Sequence, residues 1–237
     1  MLVRGRRGVF AMVLVARAAH ADGPTSTHEP GPELSLRLGP SFVAGEAEKG
    51  QPLGRQVGAP LSFMLDGGYR ANERLYFGGF WAMGFGLASP RPCPAGFSCD
   101  PPGLISNIGA GARLHPLSSP LDPWVGAGLA LDVEGYKGHR YEDRTTTCVF
   151  QPCTGTLVES TTTRFGASLL LEGGFDIRLG RRVGMGAAVA AFAGKYLTTD
   201  TTVRKEDNEI PGGSGGGANG GYHLWLLTSA RVVVTLP

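Results

Sequence analysis

The chain has 237 residues, enough for one or two domains, with 22 basic side chains against 20 acidic ones. A net charge of only +2 recommends neither nucleic acid nor a basic partner. Glycine is the unusual component at 38 residues, well above the average of about 7%. It occurs at every second position inside apolar segments, as at Gly126 and Gly128 or Gly184 and Gly186, and in one tract over 212–221 that reads as a flexible loop.

The start has the form of a secretory signal. Arg4, Arg6 and Arg7 make a basic region, Val9 to Ala16 a short apolar one, and Ala19-His20-Ala21 a small-x-small cleavage site. The expected organisation is a signal peptide over 1–21, a short periplasmic stub over 22–32 and a barrel over 33–237. The residue directly after the cleavage site is Asp22, not cysteine, and no later stretch approaches the roughly 18–20 apolar residues of a spanning helix.

From Glu33 onward, apolar residues alternate with small or polar ones in eight segments, at about 33–43, 59–70, 74–88, 104–114, 123–136, 162–179, 183–198 and 221–236. Period-two alternation marks strands with two different faces. In the third, Leu75, Phe77, Gly79, Trp81, Met83, Phe85 and Leu87 share one face, and Tyr76, Gly78, Phe80, Ala82, Gly84 and Gly86 the other. In the sixth, Phe165, Ala167, Leu169, Leu171, Phe175, Ile177 and Leu179 oppose Ser168, Glu172, Asp176 and Arg178. The eighth sets Leu224, Leu226, Val232, Val234 and Leu236 against Ser229, Arg231 and Thr235. The alanine-rich seventh competes with a helix, but Gly184, Gly186 and Gly194 would each cost a helix interior about 1 kcal/mol relative to alanine.

The connections alternate. Those at 71–73, 115–122 and 180–182 are short; those at 44–58, 89–103, 137–161 and 199–220 are long. This predicts an all-β fold, an eight-stranded antiparallel up-and-down transmembrane β-barrel with short periplasmic turns and long extracellular loops. On its lipid face, Phe42, Phe63, Phe85, Phe165 and Tyr222 fall at the long-loop ends, and Tyr69, Phe77 and Phe175 at the short-turn ends. These are the two girdles expected where amphipathic rings meet the interfaces. The inward face carries Glu33, Arg37, Asp66, Arg70, Arg113, Asp132, Glu134, Glu172, Asp176, Arg178 and Arg231. Isolated charges in a closed interior are costly, so pairing into a plug is expected; the other reading of the same residues is a selective polar pathway.

The four cysteines, Cys93, Cys99, Cys148 and Cys153, lie in two outward loops, and neighbour-paired disulfides are expected in an oxidising compartment. Neither pair has C-x₂-C spacing, so no metal is expected. Threonine runs at 145–147, 161–163 and 198–202 favour strands that continue beyond the membrane as hairpins. There is no G-x-S-x-G, H-E-x-x-H or P-loop. His223 is the histidine to weigh as a catalytic base, but no serine neighbours it at short same-face spacing, and it reads as a rim residue.

With this architecture the chain resembles the small eight-stranded outer-membrane β-barrels, including the OmpA transmembrane domain and the OmpX-like and OmpW-like proteins, over residues 33–237. The resemblance implies an integral outer-membrane protein of a Gram-negative-type cell with a structural or surface-interaction role, without catalysis or cofactor. Its implied partners are outer-membrane lipid and the outer-membrane assembly machinery, and a monomer is expected. A narrow channel or carrier for small or hydrophobic solutes, and a lipid A-modifying enzyme, are the alternatives.

Overall fold

A computed structural model describes residues 30–48, 51–53, 60–86, 97–98, 103–117, 121–142, 156–180, 182–205, 208–211, 215–216 and 220–236. The signal peptide, most of the stub and all four cysteines lie outside these residues.

Eight strands build a closed wall: β1 Gly31–Glu48, β2 Pro60–Arg70, β3 Leu75–Gly86, β4 Leu104–Leu114, β5 Leu121–Glu142, β6 Thr156–Arg178, β7 Val183–Lys205 and β8 Tyr222–Thr235. Each pairs antiparallel with its sequence neighbour, and β8 returns to pair with β1. The fold is an all-β, up-and-down, eight-stranded antiparallel barrel. Closure leaves no wall edge with unpaired amides.

Cross-strand partners followed once round the wall from Ser35 pass through Asp66, Phe80, Gly109, Ala130, Ser168, Gly194 and His223. They return to β1 at Gly45, a stagger of ten residues. Such a stagger tilts the strands, and eight of them enclose a lumen just wide enough for side chains. Large inward residues therefore need small ones opposite. Gly109 leaves room for Phe80, since a Cβ there would sit 2.6 Å from the Phe80 ring. Gly174 does the same for Trp124, at 2.8 Å.

Three tight connections define one end of the barrel. In the first, the Asn72 carboxamide oxygen accepts from Arg74 N and Leu75 N, a side-chain turn that reverses the chain. In the third, Leu179 N donates to Val183 O. At the opposite end the strands differ in height. Beyond the height of the other strands, β5, β6 and β7 stay paired from Gly135–Thr163 up to Glu142–Thr156, and from Arg164–Thr199 up to Val158–Lys205. A register shift at Phe165/Gly166 marks where this taller sheet begins. At the top of β1, Gly45 has φ 95°, a conformation that favours glycine. The strand runs on to Glu48, where Glu46 and Glu48 pair with Pro52 and Gln51, and Leu53 N bonds Gly45 O while the Leu53 side chain is fully buried in the barrel core.

The outer wall is apolar. Leu36, Leu38, Phe77, Ile108, Leu129, Leu131, Leu171 and Met185 all face outward and are about half exposed or more. Two hydroxyl contacts on this face are satisfied within the wall: Trp81 Nε1 donates to Ser106 Oγ, and Thr228 Oγ1 donates to Pro40 O. No described helix is long and apolar enough to cross a membrane.

Candidate functional site

The inward positions are ordered along each strand. Read from the tight-turn end, β6 presents Asp176, Glu172, Leu170, Ser168 and Arg164; β8 presents Arg231, Leu227, Trp225 and His223. The lumen is thus charged, then apolar, then polar.

The charged layer is a closed ring. Arg37 on β1 bonds Glu172 on β6 at 2.7 Å and pairs with Asp66 on β2 at 3.2 Å; Arg113 on β4 bonds the same two carboxylates at 2.7 Å each. Four strands on different sides of the barrel are cross-braced by two cations and two anions. Ser35 Oγ donates to Asp66 at 2.6 Å. Toward the turns, Glu33 takes Arg70 at 2.9 Å and Arg231 at 3.2 Å, and Arg231 also pairs with Asp176. Arg70 Nη2 reaches His115 Nε2 at 3.2 Å, and His115 Nδ1 meets Asp122 at 2.9 Å. Guanidinium only donates, so His115 accepts at Nε2 and donates from Nδ1. Trp124 lies against three guanidinium groups, those of Arg37, Arg113 and Arg231, at 4.9–5.1 Å from its ring centre.

Above the ring the lumen is apolar. Met64, Phe80, Leu170, Phe192, Trp225 and Leu227 form a buried cluster. Phe192 stacks on Trp225 at 5.2 Å and tilts against Phe80 at 5.9 Å. The expectation of a lumen filled by paired charges is therefore refined: ions occupy one layer and aromatic rings the next. The physical reason is room. Inward glycines and alanines on β4, β5 and β7 admit rings at the height where a charge would have found no partner.

The polar layer centres on Asp132 of β5. Its Oδ1 accepts from Asn107 Nδ2 and from Ser168 Oγ at 2.7 Å, and its Oδ2 accepts from His223 Nε2 at 3.1 Å. Tyr196 stacks on His223 with ring centres 4.3 Å apart. Beside them Glu134 pairs with Arg164 at 3.2 Å. His223 stands near the outer end of β8, as expected, but it is 7% exposed and faces the lumen, so it is not an interfacial residue. A serine, a histidine and an aspartate do meet here, but Ser168 donates to Asp132 and not to the imidazole. The carboxylate separates hydroxyl and base, and this is not a relay that activates a nucleophile.

Of the inward residues named from sequence, Glu33, Arg37, Asp66, Arg70, Arg113, Asp132, Glu134, Asp176 and Arg231 are buried, and Glu172 and Arg178 are partly so by residue. Arg178 lines a small cavity at the turn end with Glu33, Arg70, Asp176 and Arg182. The ring joins Arg37, Asp66, Arg113 and Glu172, and a separate group holds Asp132 and Glu134. Sequence reasoning missed Asp122, His115 and Arg164. The first two stand in a segment assigned to a turn, and Arg164 adjoins a threonine run. Continued period-two counting into those segments would have found Asp122 and Arg164.

Among the aromatic residues, Phe42, Tyr69, Phe77, Phe85, Phe165, Phe175 and Tyr222 are exposed on the outer wall. Phe63 is half-buried between Trp81, edge-on at 5.4 Å, and Phe85, stacked at 6.1 Å. Tyr69 and Phe77 are direct cross-strand partners at the turn end.

This chain has the eight-stranded antiparallel β-barrel fold. No family model matches it, and no curated protein matches it. Among solved structures it is similar to Neisserial surface protein A (NspA), at 14% identity and a TM-score of 0.49, over 88% of this chain and 99% of that one. It is also similar to the outer membrane protease OmpT from Escherichia coli, at 10% identity and a TM-score of 0.34, over 90% of this chain and 100% of that one. The fold assignment stands on the strand pairing of the barrel itself.

Proposed function

We propose that this protein is an integral outer-membrane barrel with a sealed lumen, serving a structural or surface-interaction role without catalysis. The observation that carries the reading is the inversion of sidedness. Leu36, Leu38, Phe77, Ile108, Leu129, Leu131 and Leu171 face outward at half exposure or more, while nine of the eleven named charges are buried inside. Water penalises that arrangement and a bilayer favours it. Export by the 1–21 segment, insertion by the assembly machinery and life as a monomer belong to the same reading. The tall β5–β6–β7 sheet, polar at Lys137, Thr161 and Asp200, is the surface it presents outside the cell.

Membrane fractionation with planar-bilayer recording tests this. The protein should need detergent to stay monodisperse, migrate faster on gels before heating than after, and pass no steady current. A detergent-free monodisperse protein removes the membrane assignment, and steady conductance removes the seal in favour of a channel.

A further inference from the structure

The outer wall carries one charge. Along the outward positions of Leu34–Phe42, Leu61–Tyr69, Leu75–Phe85, Leu104–Leu114, Leu121–Val133, Phe165–Ile177, Val183–Leu197 and Tyr222–Leu236, Lys195 is the single ionisable amine or carboxylate among the described residues. An ammonium group on a lipid-facing wall is expensive unless its charge has somewhere to go. Lys195 Nζ sits 5.4 Å from the ring centre of Tyr222, its direct partner on β8, and Tyr222 is 74% exposed. The wall turns polar just above, at Thr163 and Asp200, so Lys195 stands at the outer interface.

Below Lys195 the wall is hollowed. The outward residues of β7 going down are Ala193, Ala191, Val189 and Ala187, all small. In the upper half the neighbours are large, with Ala193 between Leu169 and Leu224 and Ala191 between Leu171 and Leu226; lower down, Val189 lies between Gly173 and Thr228, and Ala187 between Phe175 and Ala230. Short side chains between two rows of leucines make a trough. Below it lies an open surface groove of about 460 Å³ lined by Val189, Ala187, Gly173, Thr228, Phe175 and Leu38. From Lys195 to Val189 the strand rises about 3.3 Å per residue, or about 20 Å; a tilt of about 40° brings this to about 15 Å of depth. That is half of the roughly 30 Å hydrocarbon core, the depth of one leaflet.

The geometry points to a binding site for one anionic lipid of the outer leaflet, its phosphate on Lys195 and an acyl chain in the alanine trough. The site rests on the membrane reading above. The cation supplies the charge complementarity, the Tyr222 ring holds it in place, and the trough runs the depth of one leaflet.

The test uses the full-length mature protein in dodecylmaltoside micelles, with phosphatidylglycerol, phosphatidylcholine or inorganic phosphate added and adducts read by native mass spectrometry. Wild type should retain phosphatidylglycerol in preference to phosphatidylcholine and should not retain phosphate alone. Lys195→Met should weaken retention about tenfold and Lys195→Arg should keep it. Ala191→Phe, which fills the trough without touching the ammonium, should weaken it as well. Heat-modifiable gel migration establishes that each variant is folded. Equal retention by wild type, Lys195→Met and Ala191→Phe overturns the site, as does equal retention of both lipids or capture of phosphate alone. A wild-type protein that needs no detergent defeats the membrane reading first; unchanged lipid retention in a detergent-requiring barrel defeats this site alone.

Discussion

The guanidinium of Arg113 bridges Asp66 and Glu172, at 2.7 Å to each, although Asp66 and Glu172 come from strands on different sides of the lumen. Arg37 repeats the bridge from β1. Two anions shared by two cations leave each charge neutralised from two directions. This geometry lets ions stand in a lumen just wide enough for side chains.

Removing one member should be costly. Glu172→Leu leaves Arg37 and Arg113 to share Asp66 alone, an uncompensated buried charge. A loss of about 3–5 kcal/mol is expected. Urea unfolding in detergent micelles measures it. A change below about 1 kcal/mol would mean that solvent already reaches the ring.

The aromatic layer should be energetically separate from the ion ring. Phe192→Ala removes a fully buried ring that stacks on Trp225, and about 3–5 kcal/mol should be lost. The bilayer current should nevertheless stay flat, because the ring of ions below still closes the lumen. Appearance of steady conductance in this variant would locate the seal in the aromatic layer alone.

Gly174 tests the packing behind Trp124. A Cβ there would approach the indole to 2.8 Å and the Ala188 Cα to 3.0 Å, and backbone cannot step aside. Gly174→Ala should destabilise the barrel by about 1–3 kcal/mol, with a lowered thermal midpoint in the gel-shift assay. Gly180→Ala, at a position with nothing within 4 Å, is the matched control and should be neutral.

The lipid face has its own signature. Leu129 is 71% exposed at mid-height on β5. Leu129→Arg should cost about 2–4 kcal/mol when folding is measured into lipid vesicles. The same substitution on a water-facing wall is close to neutral. A neutral result would therefore contradict a bilayer at this height.

The fold was legible because its period is local. Leu36, Leu38, Phe77 and Leu171 against Arg37, Tyr76 and Glu172 can be sorted by counting in twos, and tight connections such as Asn72 announce themselves by residue type. Site geometry was less legible. Leu53 lay in a segment assigned to a loop, and nothing near it in the chain says that it buries itself in the core. His223 reads as a rim residue along the chain because Asp132, its partner, and Ser168, which bonds the same carboxylate, are 91 and 55 residues away, and a one-dimensional scan for a neighbouring serine passes over them.

Alternation along the chain determined strand number, antiparallel order, and which side chains point to the lumen and which to the outside, because a pleated backbone sends successive side chains to opposite faces whatever else it touches. Only the closed barrel decided that Arg37 would meet Glu172, that Phe192 would meet Trp225 above them, and that the alanines of β7 would lie sunken between leucines beneath Lys195. Those relationships depend on tilt and stagger, the quantities that set which residues share a height across the lumen or stand side by side on the wall. They exist only once the eighth strand has found the first.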